Sequence, residues 1–263
     1  MCGRFASFRS AQDVADDLAV AQVAEEVRAL APSWNVAPTD GVRIVVERPA
    51  RLPDGGHGAI TRSMRVARWG LVPSWAKDPG VGARMINARS ETLLDKPAFA
   101  RPLAARRCLV PAEGYYEWRR LSSPAGAAAG AKGAAKVPKQ PYWIHPAEGG
   151  VAFAGLYEFW RDPARAADDP DRWLVSTTII TTAAAPHLVH VHDRMPVALP
   201  AAAWDAWLDP AVGAEEAARI AAGPVHDLAL TPVTTRVNAV RNDGPSLLEP
   251  DPAPIDAGAP ATA

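Results

Sequence analysis

Short apolar-rich runs of β-forming residues, separated by polar and turn residues, recur through much of this chain and mark strands. The clearest runs, "VRIVVERP" and "AITRSMRVARWG", flank "ARLPDGGHG" and predict a hairpin with a long tip. "RRCLVPA" and "GYYEWRR" predict neighbouring strands, and "QPYWIHP", "GVAFAGLYEFW", "RWLVSTTIITT" and "LALTPVTTRV" predict further ones. Helical periodicity is rarer. "SAQDVADDLAVAQVAEEVRAL" carries it, with Ser10 placed as N-cap. "SETLLDKPAFA" predicts a short helix capped by Ser90 and ended by Pro97. "PAAAWDAWLD" and "GAEEAARIAAG" predict two more helices, whereas "SWNVAPTD" and "LVPSWAKDPGVGARMI" keep neither pattern and read as loops.

Short strands dominate and no strand–helix–strand rhythm appears. The expectation is an α+β fold, a mostly antiparallel, barrel-like sheet with peripheral helices. A single domain is expected over residues 1–242. Within it, residues 122–136 ("SSPAGAAAGAKGAAK") have no apolar face to bury and are expected to form a flexible excursion between two strands. The Pro-rich, acidic residues 243–263 are expected to be disordered.

Composition narrows the class. Of 263 residues, 48% are apolar and 22% charged, enough for a sizeable core. No apolar run approaches the roughly 20 residues of a membrane span. The opening residues lack the apolar core of a signal peptide, so no membrane role and a cytoplasmic location are expected. Two cysteines, Cys2 and Cys108, argue against a disulfide framework, and Cys108 in "RRCLVPAEG" reads as a core thiol. The net charge of −1 announces no polyanion partner, but without the acids from Asp243 onward 28 basic residues face 25 acidic ones, a net of +3. Arginines cluster at 62, 65 and 68, at 101, 106 and 107, and at 119 and 120. Such clusters describe a solvated face or a local basic groove.

Four stretches could carry chemistry. If Met1 is removed from "MCGRF", Cys2 presents a thiol and a free α-amine on adjacent carbons, with ordinary pKa values of roughly 8.5 and 7.7–8.0. "INARSE" places Asn87, Arg89 and Glu91 together, either as a polar site with a phosphate-matched guanidinium or as a helix-capping segment. "EGYYEWRR" puts Tyr115 and Glu117 on one strand face and Tyr116 and Trp118 on the other. Glu117 is then either an acid/base carboxyl raised by aromatic surroundings or an exposed edge-strand residue. "HLVHVHDRMP" holds three of the six histidines, and His190 and His192 share a face if it is a strand. Neither Cys-x-x-Cys nor His-Glu-x-x-His accompanies them, so no metal is expected. A single acid/base histidine in "HDRMP" is favoured instead, with Arg194 as an anion contact. Nine tryptophans are mostly packing, though exposed ones beside a basic groove could stack unpaired bases.

Together "MCGRF", "WNVAPT", "RWGLVPSWA", "MINARSET", "CLVPAEGYYEW", "FAGLYEFW", "TTAA" and "HDRMPV" resemble the SOS-response-associated peptidase (SRAP) family of abasic-site-processing proteins, in order from Met1 to about Asn242. The Ala/Gly insert and the acidic tail lie outside that pattern. The resemblance implies binding to abasic sites in single-stranded DNA, including single-strand/duplex junctions, and a covalent crosslink through the N-terminal cysteine. It implies Cys2 as nucleophile with Asn87, Glu117 and His192 as partners. It implies Arg4, Arg89 and Arg194 as phosphate contacts, and Pro38 and Trp75 as parts of a surface that wedges or stacks against bases. No cofactor is expected, and the protein is expected to act as a monomer. The main rival is an N-terminal-nucleophile hydrolase of the glutamine amidotransferase type, which also begins Met-Cys-Gly but carries "RG" and "NGD"-type motifs absent here. A non-covalent single-stranded DNA binder and a general protease are two further rivals.

Overall fold

The computed structural model describes residues 2–51, 55–121, 137–223 and 227–255. The chain begins with β1 (Phe5–Ser7), α1 (Ala11–Asp17), β2 (Gln22–Val23), α2 (Glu25–Ala29) and β3 (Ser33–Val36). The long hairpin of β4 (Gly41–Arg51) and β5 (His57–Trp69) follows, then an irregular stretch leads to β6 (Asn87–Arg89). After α3 (Pro97–Ala105) come β7 (Arg107–Ala112), β8 (Gly114–Arg120), β9 (Lys139–His145), β10 (Val151–Arg161), β11 (Trp173–Ala183) and β12 (Arg194–Pro196). Helices α4 (Ala201–Leu208) and α5 (Ala214–Ala221) precede β13 (Ala229–Pro232).

Among the described residues the strands form two sheets. The smaller runs β13–β9–β8–β1–β3 and is antiparallel throughout. The larger runs β12–β11–β10–β7–β4–β5–β2, with β6 added in parallel beside β11. Strand β11 also meets β5 in parallel at Ser176↔Arg68 and Thr177↔Trp69. The larger sheet therefore curls until two of its strands touch along a two-residue seam. That is the α+β, mostly antiparallel architecture expected, with a curled sheet and no clear closed barrel.

Side-chain alternation divides the core. Val42, Ile44 and Val46 of β4 and Cys108 and Val110 of β7 point into the curl with Phe5, Trp69, Tyr115 and Phe153. Val45 and Leu109 point outward, where Val14, Phe99, Leu103 and Trp207 cover them from the helices. Tyr116 and Trp143, on the other face of the smaller sheet, pack with Val233 and Val237. Cys108 is fully buried, and burial pushes its thiol up to about 12, as suits a core residue.

Several expected elements differ. The helix expected from Ser10 to Leu30 splits. Ser10 does cap α1, its Oγ accepting from the Asp13 N–H at 3.1 Å. Ala19 then adopts a positive φ of 51°, and the Ala21 and Ala24 N–H groups donate to Arg62 and Met64 carbonyls on the edge of β5. An open sheet edge thus outcompetes the helix for these donors. "SWNV" is a strand, β3, because β1 supplies its partner (Phe5↔Val36). Pro97 opens α3 instead of ending a helix, as its missing N–H permits at a first-turn position. The segment "HLVHVH" is turn-rich, with His192 N–H donating to the Leu188 carbonyl, so His190 and His192 share no strand face. Strands β7 and β8 are consecutive but lie in different sheets.

Arg62, Arg106 and Arg107 of the arginine clusters are spent on structure. Arg107 donates to the carbonyls of Leu103, Trp207 and Asp209 at the ends of α3 and α4, where a cation complements the helix dipoles. Arg106 pairs with Glu158, and Arg62 with Glu47 and Asp205. The Ala/Gly stretch 122–136 lies outside the described residues, as do residues 256–263 of the tail. The preceding tail residues are tied down: Asp251 N–H donates to Pro232 O at 2.8 Å and Ile255 N–H to Gln140 Oε1 at 2.8 Å.

The passage between the sheets depends on Gly114. Its φ is +156°, and a Cβ there would stand 2.5 Å from the Ile144 carbonyl oxygen and 2.7 Å from the Trp143 ring. Gly114→Ala is expected to cost more than about 2 kcal/mol in urea unfolding, because backbone and ring must both shift. An unchanged midpoint would contradict this account of the turn.

Candidate functional site around Cys2

Cys2 lies three residues before β1 and is fully buried against the inner core. The Asn87 Nδ2 group donates to the Cys2 carbonyl at 2.7 Å. Asn87 is placed by β6, which pairs with β11 at Ile179↔Asn87 and Thr181↔Arg89. The preceding Ile86 carbonyl accepts from both the Ile179 N–H at 3.1 Å and the Trp69 indole at 3.0 Å. Asn87 Oδ1 is buried and has no partner among the described residues.

Strand β8 contributes from the other side. Hydrogen-bonded between β1 and β9, it turns Tyr115 and Glu117 to the face that carries Cys2, with Tyr116 and Trp118 opposite. Glu117 is only 4% exposed. Burial raises its carboxyl from an ordinary 4.5 to about 7, and the charge of Asp193 pushes the same way. Burial, and then Glu117, push the Cys2 thiol far above its usual range. His192 stands half-buried before β12, and burial lowers its pKa, which favours the neutral ring. Its Nδ1 lies 3.0 Å from the Arg194 N–H and 2.9 Å from Asp193 Oδ1, contacts that need opposite protonation of that nitrogen. The lowered pKa and the exposed, water-screened position of Asp193 favour Nδ1 as acceptor from Arg194, which leaves the ring proton on Nε2.

The three arginines differ in environment. Arg4 donates to Asn35 Oδ1 at 2.7 Å and to the carbonyls of Val237 and Asn238, and stands 6.0 Å from the Trp118 ring centre. Arg194 forms a two-pronged pair with Glu91 at 2.5 and 2.9 Å and donates to the Thr181 carbonyl. Arg89 is exposed, and it and Arg194 both lower the Glu91 pKa, the Arg194 hydrogen bond most. Pro38 is half-buried in a turn where Thr39 takes a φ of 78° and its N–H donates to the Trp69 carbonyl. Trp75 is 67% exposed on the irregular stretch after β5, beside Ala76, whose carbonyl accepts from the Trp160 indole.

Asn87 and Glu117 thus converge on Cys2, while Arg89 and Arg194 meet at Glu91, and His192 accepts from the Arg194 N–H. Three further residues matter to which sequence reasoning gave no role. Asn35 is a buried hub, bonding Arg4 and the carbonyls of Val237, Ala239 and Asn242. Its only sequence signal was an amide inside "WNVAPT". Glu91 is the Arg194 partner, visible only once two distant motifs meet. Tyr115 shares the Cys2 face, a position its spacing from Glu117 announced. Among the described residues no group of three or more His, Cys, Asp or Glu side chains could hold a metal. No described helix is long and apolar enough to cross a membrane.

The Glu117 shift has a consequence for stability. The folded protein binds this proton more tightly than the unfolded chain, so stability falls as pH rises from about 4.5 to about 7 and stays reduced above that. Glu117→Gln is expected to flatten that slope and to stabilise the protein at pH 8 by on the order of 1–3 kcal/mol in urea unfolding. An equal effect at pH 4 and pH 8 would contradict a raised carboxyl.

The profile of the SOS response associated peptidase (SRAP) family matches residues 1–240. The chain is 34% identical over 252 residues to abasic site processing protein YoqW of Bacillus subtilis, covering 95% of this chain and 99% of that one. It is 33% identical to abasic site processing protein HMCES of Gallus gallus over 87% of this chain and 68% of that one. A Bacteroides thetaiotaomicron crystal structure superposes with a TM-score of 0.74 at 22% identity, covering 95% of this chain and 100% of that one, which supports the fold alone. With its profile matched across nearly the whole described core, the chain belongs to the SOS response associated peptidase family.

Proposed function

We propose that this protein processes abasic sites in single-stranded DNA, including sites at duplex junctions, by forming a covalent link through Cys2 after Met1 has been removed. The relatives named as abasic site processing proteins support the substrate. The observation that carries the chemistry is a buried carboxyl, Glu117, with a pKa of about 7 beside a cysteine whose carbonyl Asn87 holds.

The ring-opened abasic sugar carries an aldehyde. The Cys2 α-amine adds to its carbon, the C=O π pair moves to oxygen, and a carbinolamine forms once that oxygen gains a proton and the nitrogen loses one. Loss of water gives an imine. The thiol then adds to the imine carbon, its proton passing to the nitrogen, and a five-membered thiazolidine closes. Both nucleophiles come from one residue, so closure is favoured by proximity. A thiol held well above its usual pKa attacks poorly as an opening nucleophile, which supports the order amine first, thiol second.

Glu117, half-protonated near neutrality, can both give and take the protons that ring opening and water loss require. Asn87 fixes the Cys2 backbone, and neutral His192 assists as acid or base. Arg89, exposed on β6, is the most accessible phosphate contact. Arg4 and Arg194 anchor the N-terminal segment and β6, and meet phosphate with the N–H groups their structural bonds leave. Pro38 and Trp75 form the base-contacting rim. The protein acts as a monomer and shields the site during the response to DNA damage.

Mixing the Met1-free protein with a uracil-excised oligonucleotide is expected to give a heat-stable, slower band on a denaturing gel. Cys2→Ala is expected to abolish the thiazolidine, and Glu117→Gln to slow capture by roughly a hundredfold. Release of ammonia from glutamine with no capture of abasic DNA would overturn the proposal in favour of an amidotransferase-type hydrolase.

A further inference from the structure

We infer that Tyr115 is a further catalytic residue of the same site, a fixed donor to the sugar oxygen that leaves as water. The inference rests on the crosslinking reading above and adds a group that neither the family motif nor the comparisons assign.

The geometry comes from β8. Tyr115 precedes Glu117 by two positions on the same face, and lies across from Phe5 on β1, three residues beyond Cys2. Its ring is wedged in the inner core with Cys2, edge-on to Phe153 at 6.1 Å, and the residue is 1% exposed. The electrostatic influence of both Cys2 and Glu117 reaches its hydroxyl, and with burial keeps that hydroxyl protonated throughout the neutral range. Asn87, whose amide donates to the Cys2 carbonyl, has its Oδ1 buried with no partner among the described residues. A protonated hydroxyl in the cluster that holds Cys2 and an open acceptor on the residue that bonds its carbonyl match a substrate that carries hydroxyl groups.

The chemistry follows. When the α-amine adds to the aldehyde, charge gathers on the sugar oxygen. The Tyr115 O–H donates a hydrogen bond to it without giving up its proton. Glu117 supplies the proton that completes the carbinolamine hydroxyl and the one that lets it depart as water. The amine nitrogen loses both of its protons in reaching the neutral imine, so the carboxyl is restored to its starting state. Tyr115 therefore stabilises the transition state by a preorganised dipole, as an oxyanion-hole donor does. Tyr115 itself adds no limb to the pH dependence, because it keeps its proton throughout.

Tyr115→Phe keeps the ring and removes only the donor. With Met1-free protein and saturating abasic oligonucleotide, Tyr115→Phe is expected to lower the single-turnover crosslinking rate roughly ten- to a hundredfold. Affinity for an oligonucleotide carrying a reduced, unreactive abasic site should remain within about twofold, a change worth under roughly 0.5 kcal/mol. The alkaline limb of the pH–rate profile, where Glu117 loses the proton it must give, should keep its midpoint, whereas Glu117→Gln removes that limb. A Tyr115→Phe rate equal to that of the unaltered protein overturns the inference while leaving the crosslinking reading intact. A parallel loss of rate and affinity also overturns it, as the sign of a merely structural ring. No crosslink by the unaltered protein overturns the reading on which it rests.

Discussion

The Asn87 amide, donating to the Cys2 carbonyl at 2.7 Å, ties the two halves of this site together. One partner belongs to the N-terminal segment that enters the smaller sheet through β1. The other belongs to β6, a three-residue strand added to the edge of the larger sheet. The bond forms because the curl of the larger sheet brings β11, and with it β6, over the space that β8 faces. Trp69 supports this from within, its buried indole holding the carbonyl just before Asn87. Loss of the curl would separate Asn87 from Cys2 and open Glu117 to water, which would return its carboxyl to ordinary acidity.

Burial is therefore the main source of reactivity here. A carboxyl kept dry between two sheets becomes a neutral-pH proton carrier, and a thiol kept dry beside it is restrained until an electrophile arrives. Cys108 is a useful contrast. It is equally buried and also raised, but its shift comes from burial against a hydrogen bond with Thr177 Oγ1 at 3.5 Å, whereas at Cys2 the charge of Glu117 adds to burial. Position in the chain distinguishes the two thiols further, since only Cys2 can acquire an adjacent α-amine.

Much of this was readable in the sequence, for a physical reason. Runs rich in β-forming residues located β4, β5 and β7 to β11, though not β6, and the spacing of Tyr115 and Glu117 placed them on one face. What such runs could not encode was pairing. β7 and β8 are adjacent in sequence yet join different sheets, because a glycine that tolerates a φ of +156° lets the chain change direction between them. The split of the first predicted helix likewise followed from an open edge on β5, a feature of tertiary structure. At the site, motifs named Cys2, Asn87 and Glu117. They gave no hint that Arg194 would be held by Glu91 or that Asn35 would gather the carbonyls around Arg4. Such contacts join residues more than a hundred positions apart and leave no local trace.

The most direct measurement is the identity of the linked residue. Protein incubated with abasic oligonucleotide, digested with nuclease and trypsin and analysed by mass spectrometry, should carry the sugar remnant on the peptide Cys2–Arg4. That peptide should lack Met1, and its thiol should no longer react with an alkylating reagent, as a closed thiazolidine requires. A remnant on a peptide that retains Met1, or on Cys108 or a lysine, would contradict the account.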